Sequence, residues 1–148
     1  MPTFITTDPS TRTYLNNLAF GGELKKHRKN ILRAEQKHGA RCVEELEKVI
    51  TTGTRSGKTY SYKGTKYTAS APGEPPANRS GRLASSFGFH RTIQELHIYN
   101  KAVSDDGAPY PWFLEEGTGK MKPRPYFLKT INKLGQEFQK ELKKIAKE

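Results

Sequence analysis

Hydrophobic positions recur most regularly near the C-terminal end of the chain. Phe127, Ile131, Leu134, Phe138, Leu142 and Ile145 follow one another at steps of four, three, four, four and three, while Lys129, Lys133, Lys140, Lys144 and Lys147 lie off that stripe. The spacing predicts an amphipathic helix over residues 127–145 whose apolar face must be buried, with Gly135 a modest defect in it. A second helical face runs over residues 23–50. Leu24, Ile31, Ala34, His38, Cys42, Leu46 and Val49 fall mostly three or four residues apart before Thr51, Thr52 and Gly53 end the run. Gly39 weakens the middle of that helix by about 1 kcal/mol relative to alanine and marks a place where it can bend.

Between the two helices the period shortens to two. Tyr60 and Tyr62 alternate with polar residues, Lys63-Gly64 supplies a turn, and Tyr67 resumes the pattern, which predicts a β-hairpin with polar faces, exposed or bridging subunits. Phe87, Phe89, Arg91 and Ile93 alternate with Gly88, His90 and Thr92; Leu96, Ile98 and Asn100 alternate with His97 and Tyr99. With Gln94-Glu95 between them, these runs predict paired antiparallel strands. Ser80 to Ser86 reads as a short turn or helix start, and Pro111 as the start of a short helix through Glu116, stopped by Gly117. The expected fold is α+β. A small antiparallel sheet packs with a long N-terminal helix and a C-terminal amphipathic helix in one domain over residues 1–148, with extended loops and arms.

Two stretches fit neither period. Residues 1–22 are rich in Thr, Pro and Ser and read as a polar N-terminal arm, with Tyr14, Leu15 and Leu18 adding a short helical turn before Gly21-Gly22. The stretch from Ala69 to Leu83 holds Pro72, Gly73, Pro75, Pro76 and Gly81. Each proline fixes its φ and lacks an N–H, so neither a helix nor a central strand forms here. The proline content favours a semi-rigid extended arm over a flexible linker. The hairpin and this arm together occupy residues 51–80 and lie between two halves of one core.

Composition adds three constraints. Only 33% of residues are hydrophobic, which points to an elongated shape, polar arms or surfaces completed by neighbouring subunits. Cys42 is the single cysteine and forbids an intrachain disulfide, as expected of a reducing compartment. With no signal-peptide pattern and no apolar run of about 18 residues, the protein is expected to be soluble and intracellular when made, and off the membrane. The sequon Asn78-Arg79-Ser80 then reads as accidental. The net charge of +11 implies either attraction to polyanions or a solvated basic surface; the basic residues are spread along the chain without a block.

No constellation for chemistry emerges. His38 and Cys42, four apart, have the spacing of a metal-ligand pair, but no second pair follows and zinc wants three or four protein ligands, so packed core is the better reading. Gly53-Thr-Arg-Ser-Gly-Lys-Thr59 approaches a phosphate-binding loop, yet Thr52 stands where the first glycine belongs and a helix, not a strand, precedes it. His90 and His97 fall on the paired strands without a carboxylate to orient either, and no serine sits in a nucleophile elbow. No catalytic residue, metal ligand or cofactor is expected. Lys120, Lys122 and Arg124 alternate with Met121, Pro123 and Pro125 in a basic extended segment, either a plain connection into the last helix or a charged loop aimed at a polyanion or an acidic partner.

Ala69-Ser-Ala-Pro-Gly-Glu-Pro-Pro-Ala77, followed by Ser80-Gly-Arg-Leu-Ala-Ser-Ser86, resembles the central signature of the tail-component, or neck, proteins of long-tailed bacteriophages. A second half of that signature is present as Tyr110, Phe113, Glu115, Glu116-Gly117-Thr118 and then Arg124-Pro-Tyr-Phe-Leu128 leading into the terminal helix. The resemblance runs from about Gly53 to the C-terminus, and more loosely over the first helix. It implies an α+β subunit without cofactor or catalysis. Copies would form a homo-oligomeric ring, expected to be hexameric, that completes the tail or joins it to the head around non-specifically held double-stranded DNA. Head-closure, tail-terminator and tail-tube proteins would be its neighbours, the virion its location and the host cytoplasm its place of assembly. A head-closure or tail-terminator ring fits the same description, and charge alone also fits a basic nucleic-acid-binding module. On the ring reading, Pro72, Gly73, Pro75, Pro76, Gly81, Glu116, Gly117 and Pro125 build the structural motif, while Arg79, Arg82, Lys120, Lys122 and Arg124 face subunit contacts or the DNA channel. The alternative for Arg82 is that it pins the arm to its own subunit through Glu74 or Glu115.

Overall fold

The computed structural model describes residues 24–91 and 96–148. The expectations for residues 1–22, for the side chain of Leu24, and for Thr92, Ile93 and Gln94-Glu95 lie outside the described residues. In chain order the elements are α1 (Leu24–Thr51), β1 (Thr59–Tyr62), β2 (Thr65–Thr68), α2 (Arg82–Ser85), β3 (Phe87–Arg91), β4 (Leu96–Asn100), α3 (Tyr110–Glu116) and α4 (Phe127–Ile145). The architecture is α+β, with the long first helix and the last helix as its frame.

The core follows from the two apolar stripes. Cys42, Leu46 and Ile50 of α1 cluster with Phe127, Ile131 and Leu134 of α4, while Ile31 and Ala34 cluster with Phe138 and Leu142. Early residues of one helix therefore meet late residues of the other, and the pair is antiparallel. Five of the six expected α4 positions are buried; Ile145 is half-buried at the rim. On α1, Ile50 is fully buried and Val49 only partly, since Ile50 continues the steps of four from Cys42 through Leu46 while Val49 falls at the edge of that face. α1 ends where the hydroxyls of Thr51 and Thr52 bond back to the carbonyls of Glu47 and Lys48 at 2.8 and 2.6 Å.

β3 and β4 pair antiparallel in the register Phe87↔Asn100, Phe89↔Ile98, His90↔His97, and both strands pack on α1. The helix runs through Gly39 without interruption because Phe89 lies against it: a Cβ at Gly39 would sit 2.4 Å from the Phe89 ring. Leu96, Ile98 and Asn100 point to the core from β4. Asn100 is buried and its side-chain amide joins two elements, donating to the Leu83 carbonyl of α2 and accepting from the Ala102 N–H, both at 2.8 Å. Cys42 is a fully buried core residue, and half-buried His38 flanks it, stacked on Phe138 at 4.1 Å with a ring nitrogen 3.5 Å from the Cys42 sulfur.

The expected hairpin forms apart from the β3–β4 pair. β1 and β2 form a separate two-stranded ribbon, Tyr60 opposite Tyr67, closed by Lys63 and Gly64 at positive φ. No helix among the described residues is long and apolar enough to cross a membrane.

Candidate functional site

The proline arm is extended, and polar contacts from distant residues hold it in place. At its start, Arg124 donates from Nε to the Ser70 hydroxyl at 2.7 Å and from Nη2 to the Ser70 carbonyl at 3.2 Å. In its middle, Gly73 takes φ 84°, and Glu74 closes the turn by accepting from the N–H groups of Ala71 and Ser56 at 2.8 and 3.1 Å and from the Ser56 hydroxyl. That hydroxyl, then the two backbone N–H groups, hold the Glu74 carboxyl down to about 2. Further on, Arg55 donates to the Pro76 carbonyl through Nε and Nη2 at 3.3 and 3.1 Å, while the same Nη2 reaches the Val49 carbonyl of α1 at 2.8 Å. Pro76 is buried; Pro72 is exposed and Pro75 half-buried. Gly57, from the stretch that approached a phosphate-binding loop, extends the hairpin ladder by donating to the Ala69 carbonyl at 2.9 Å, and a Cβ there would lie 2.5 Å from that oxygen.

Downstream of the arm, Gly81 at φ 77° precedes α2. Arg82 does not reach Glu74 or Glu115. Its guanidinium pairs with Asp105 at 3.0 Å and donates to the Val103 carbonyl at 3.1 Å, because α2 carries it toward the loop after β4. The Arg79 guanidinium carbon lies 3.9 Å from the centre of the Tyr62 ring and 5.7 Å from that of Tyr67, so it ties the arm to the hairpin through the rings.

The second half of the signature forms a tight turn and a helix cap. Gly117 takes φ 78° and donates to the Phe113 carbonyl at 2.9 Å; a Cβ there would meet the Met121 carbonyl at 2.7 Å. Lys120 and Lys122 sit exposed on this turn, as do Pro123 and Pro125. Glu116 is exposed, whereas its neighbour Glu115 is buried and works as a cap. Oε2 of Glu115 accepts from the N–H groups of Tyr126 and Phe127 at 2.9 and 3.0 Å, and Oε1 from that of Leu128 at 3.1 Å. A carboxylate is thus set at the positive end of α4, which has no capping side chain at Tyr126. The sequence pattern did not single out this role; the absence of Ser, Thr, Asp or Asn at the helix start was the available signal.

The arm, the hairpin, α2, the Ser104–Asp105 loop and α3 enclose a cleft of about 510 Å³. Arg79, Arg82 and Arg124 line it together, brought from three separate elements, while Lys120 and Lys122 do not. Elsewhere, His90 and His97 are cross-strand partners, and Arg91 pairs with Glu35 at 3.3 Å. Burial nonetheless raises the Glu35 carboxyl, outweighing the attraction of Arg91. Among the described residues no group of three or more His, Cys, Asp or Glu could hold a metal ion. Compared with known protein families, curated proteins and solved structures, the chain matches none.

Proposed function

We propose that this chain is a structural subunit of the neck of a long-tailed bacteriophage, a ring-forming virion protein that completes the tail and joins it to the head around the DNA channel. The β1–β2 ribbon carries this reading. Its strands are four residues each, β1 is exposed along its whole length, and Tyr60 and Tyr62 leave 48% and 36% of their surface in solvent. A two-stranded ribbon of this size is marginal in water on its own, so a neighbour is the natural source of its missing packing. Exposed Trp112, Phe113 and Leu128 add apolar surface of the same kind. The two sequence motifs, in order, resemble those of this class of assembly and support the choice. The charge of +11 suits a subunit that encloses DNA and contacts its phosphates without reading sequence.

Sedimentation and mass photometry on the full chain, alone and mixed with tail-tube protein, test the proposal. Rings are expected at least in the mixture, and a variant with both Tyr60 and Tyr62 changed to serine should stay folded by circular dichroism while losing them. A chain that stays monomeric in both conditions and leaves tails unjoined would refute it.

A further inference from the structure

We propose that the arginine-lined cleft is a receptor for the carboxylates of a short acidic peptide segment presented by another protein chain. Three arginines face it against one carboxylate, Asp105, which is already paired with Arg82. Arg79 has its guanidinium face on Tyr62 but makes no hydrogen bond or ion pair to any described residue. Its contact with the ring uses no N–H group, so its donors remain for a carboxylate, which a guanidinium can pair with in a two-pronged fashion. Arg124 has two nitrogens engaged with Ser70, while its Nη1 is buried with no acceptor. That nitrogen is closed off from solvent, so Arg124 contributes positive charge to the wall of the cleft and not an open donor.

Size and ring geometry favour a peptide over nucleic acid. A volume of about 510 Å³ suits a few residues of chain and excludes a DNA duplex. A single strand would need open aromatic faces for its bases. Here the Tyr62 face is covered by Arg79 at 3.9 Å, and Tyr67 stacks with Tyr60 at 5.7 Å. The cleft is complete within one subunit, so the inference does not depend on the ring.

Fluorescence anisotropy with the purified full chain tests this, using a fluorescein-labelled peptide of alternating glutamate and alanine, its glutamine counterpart, and labelled oligothymidylate. The glutamate peptide should bind at least about tenfold more tightly than the glutamine peptide, and Arg79→Gln should weaken it about tenfold while the chain stays folded, its melting temperature lowered only by the lost ring contact. Lys140→Gln, at an exposed residue outside the cleft, should leave binding within about twofold. Should Arg79→Gln fail to fold, Arg82→Gln serves as the second variant with the same expected loss. The proposal is overturned by absence of binding at millimolar peptide, by equal affinity for the two peptides, or by equal losses from Arg79→Gln and Lys140→Gln. Tighter oligothymidylate binding with the same sensitivity to Arg79→Gln would assign the cleft to nucleic acid instead.

Discussion

Replacing Glu115 by glutamine should destabilise the fold far more than the same change at its neighbour. The first N–H groups of a helix have no partner within it, and Tyr126, at the cap position of α4, offers no side-chain acceptor. Glu115 supplies both its oxygens, one to Tyr126 and Phe127 and the other to Leu128. Glutamine keeps a single acceptor. Oriented to serve Tyr126 and Phe127, it turns an NH₂ toward the Leu128 N–H; oriented the other way, it leaves two buried donors without acceptors. Losing the charged acceptor from bonds worth about 1.5–3 kcal/mol each, together with its helix-end attraction of roughly 1 kcal/mol, sets the expected cost at about 2–4 kcal/mol. In a domain of this size that lowers the melting temperature by about 5–15 °C. Exposed Glu116 provides the control, and Glu116→Gln should stay within about 0.5 kcal/mol of the parent. Urea unfolding followed by circular dichroism gives both values, with the denaturant slope expected unchanged. If the two variants unfold at the same urea concentration, the cap does not hold α4 and the reasoning fails.

Gly39→Ala sets helix propensity, which favours alanine by about 1 kcal/mol, against overpacking, which costs about 1–3 kcal/mol. Because the new Cβ would lie 2.4 Å from the Phe89 ring, a net loss is expected in chemical denaturation, and a gain would show that β3 does not approach α1 so closely. His38 gives a pH dependence: burial first, then Arg41, lowers its pKa from 6.5 to about 4, with Glu137 opposing. Between those values the unfolded chain binds the extra proton. Stability from neutral His38 is therefore whole above about pH 6.5 and falls away toward pH 4, by no more than about 3 kcal/mol since the ring keeps some contact with solvent. His38→Leu should flatten that limb, and superimposable profiles for the two proteins would exclude His38 as its source.

What the sequence disclosed and what it hid divide along the range of the interactions involved. Both long helices, both hairpins and the short helix before Gly117 lie within a residue or two of their expected bounds, because each is set by spacing between near neighbours and by local stop signals. The cap of α4 was hidden because Glu115 and Glu116 are equivalent in any local pattern, and only the folded chain buries one and exposes the other. The arginines were visible as charge, but their partners were not. Arg124 reaches Ser70, Arg82 reaches Asp105, Arg79 reaches two tyrosine faces, and Arg55, which the pattern left in a loop, grips Pro76. The contacts of Arg124, Arg79 and Arg55 converge on the arm, whose prolines remove the backbone donors with which a strand or helix would hold itself in place, whereas the Arg82–Asp105 pair ties α2 to the loop after β4. A segment in that condition takes its shape from side chains elsewhere in the fold. On the proposal of an acidic peptide partner, that imposed shape, with Arg79 making no hydrogen bond to a described residue beside it, argues for the arm and not either helix as the docking surface.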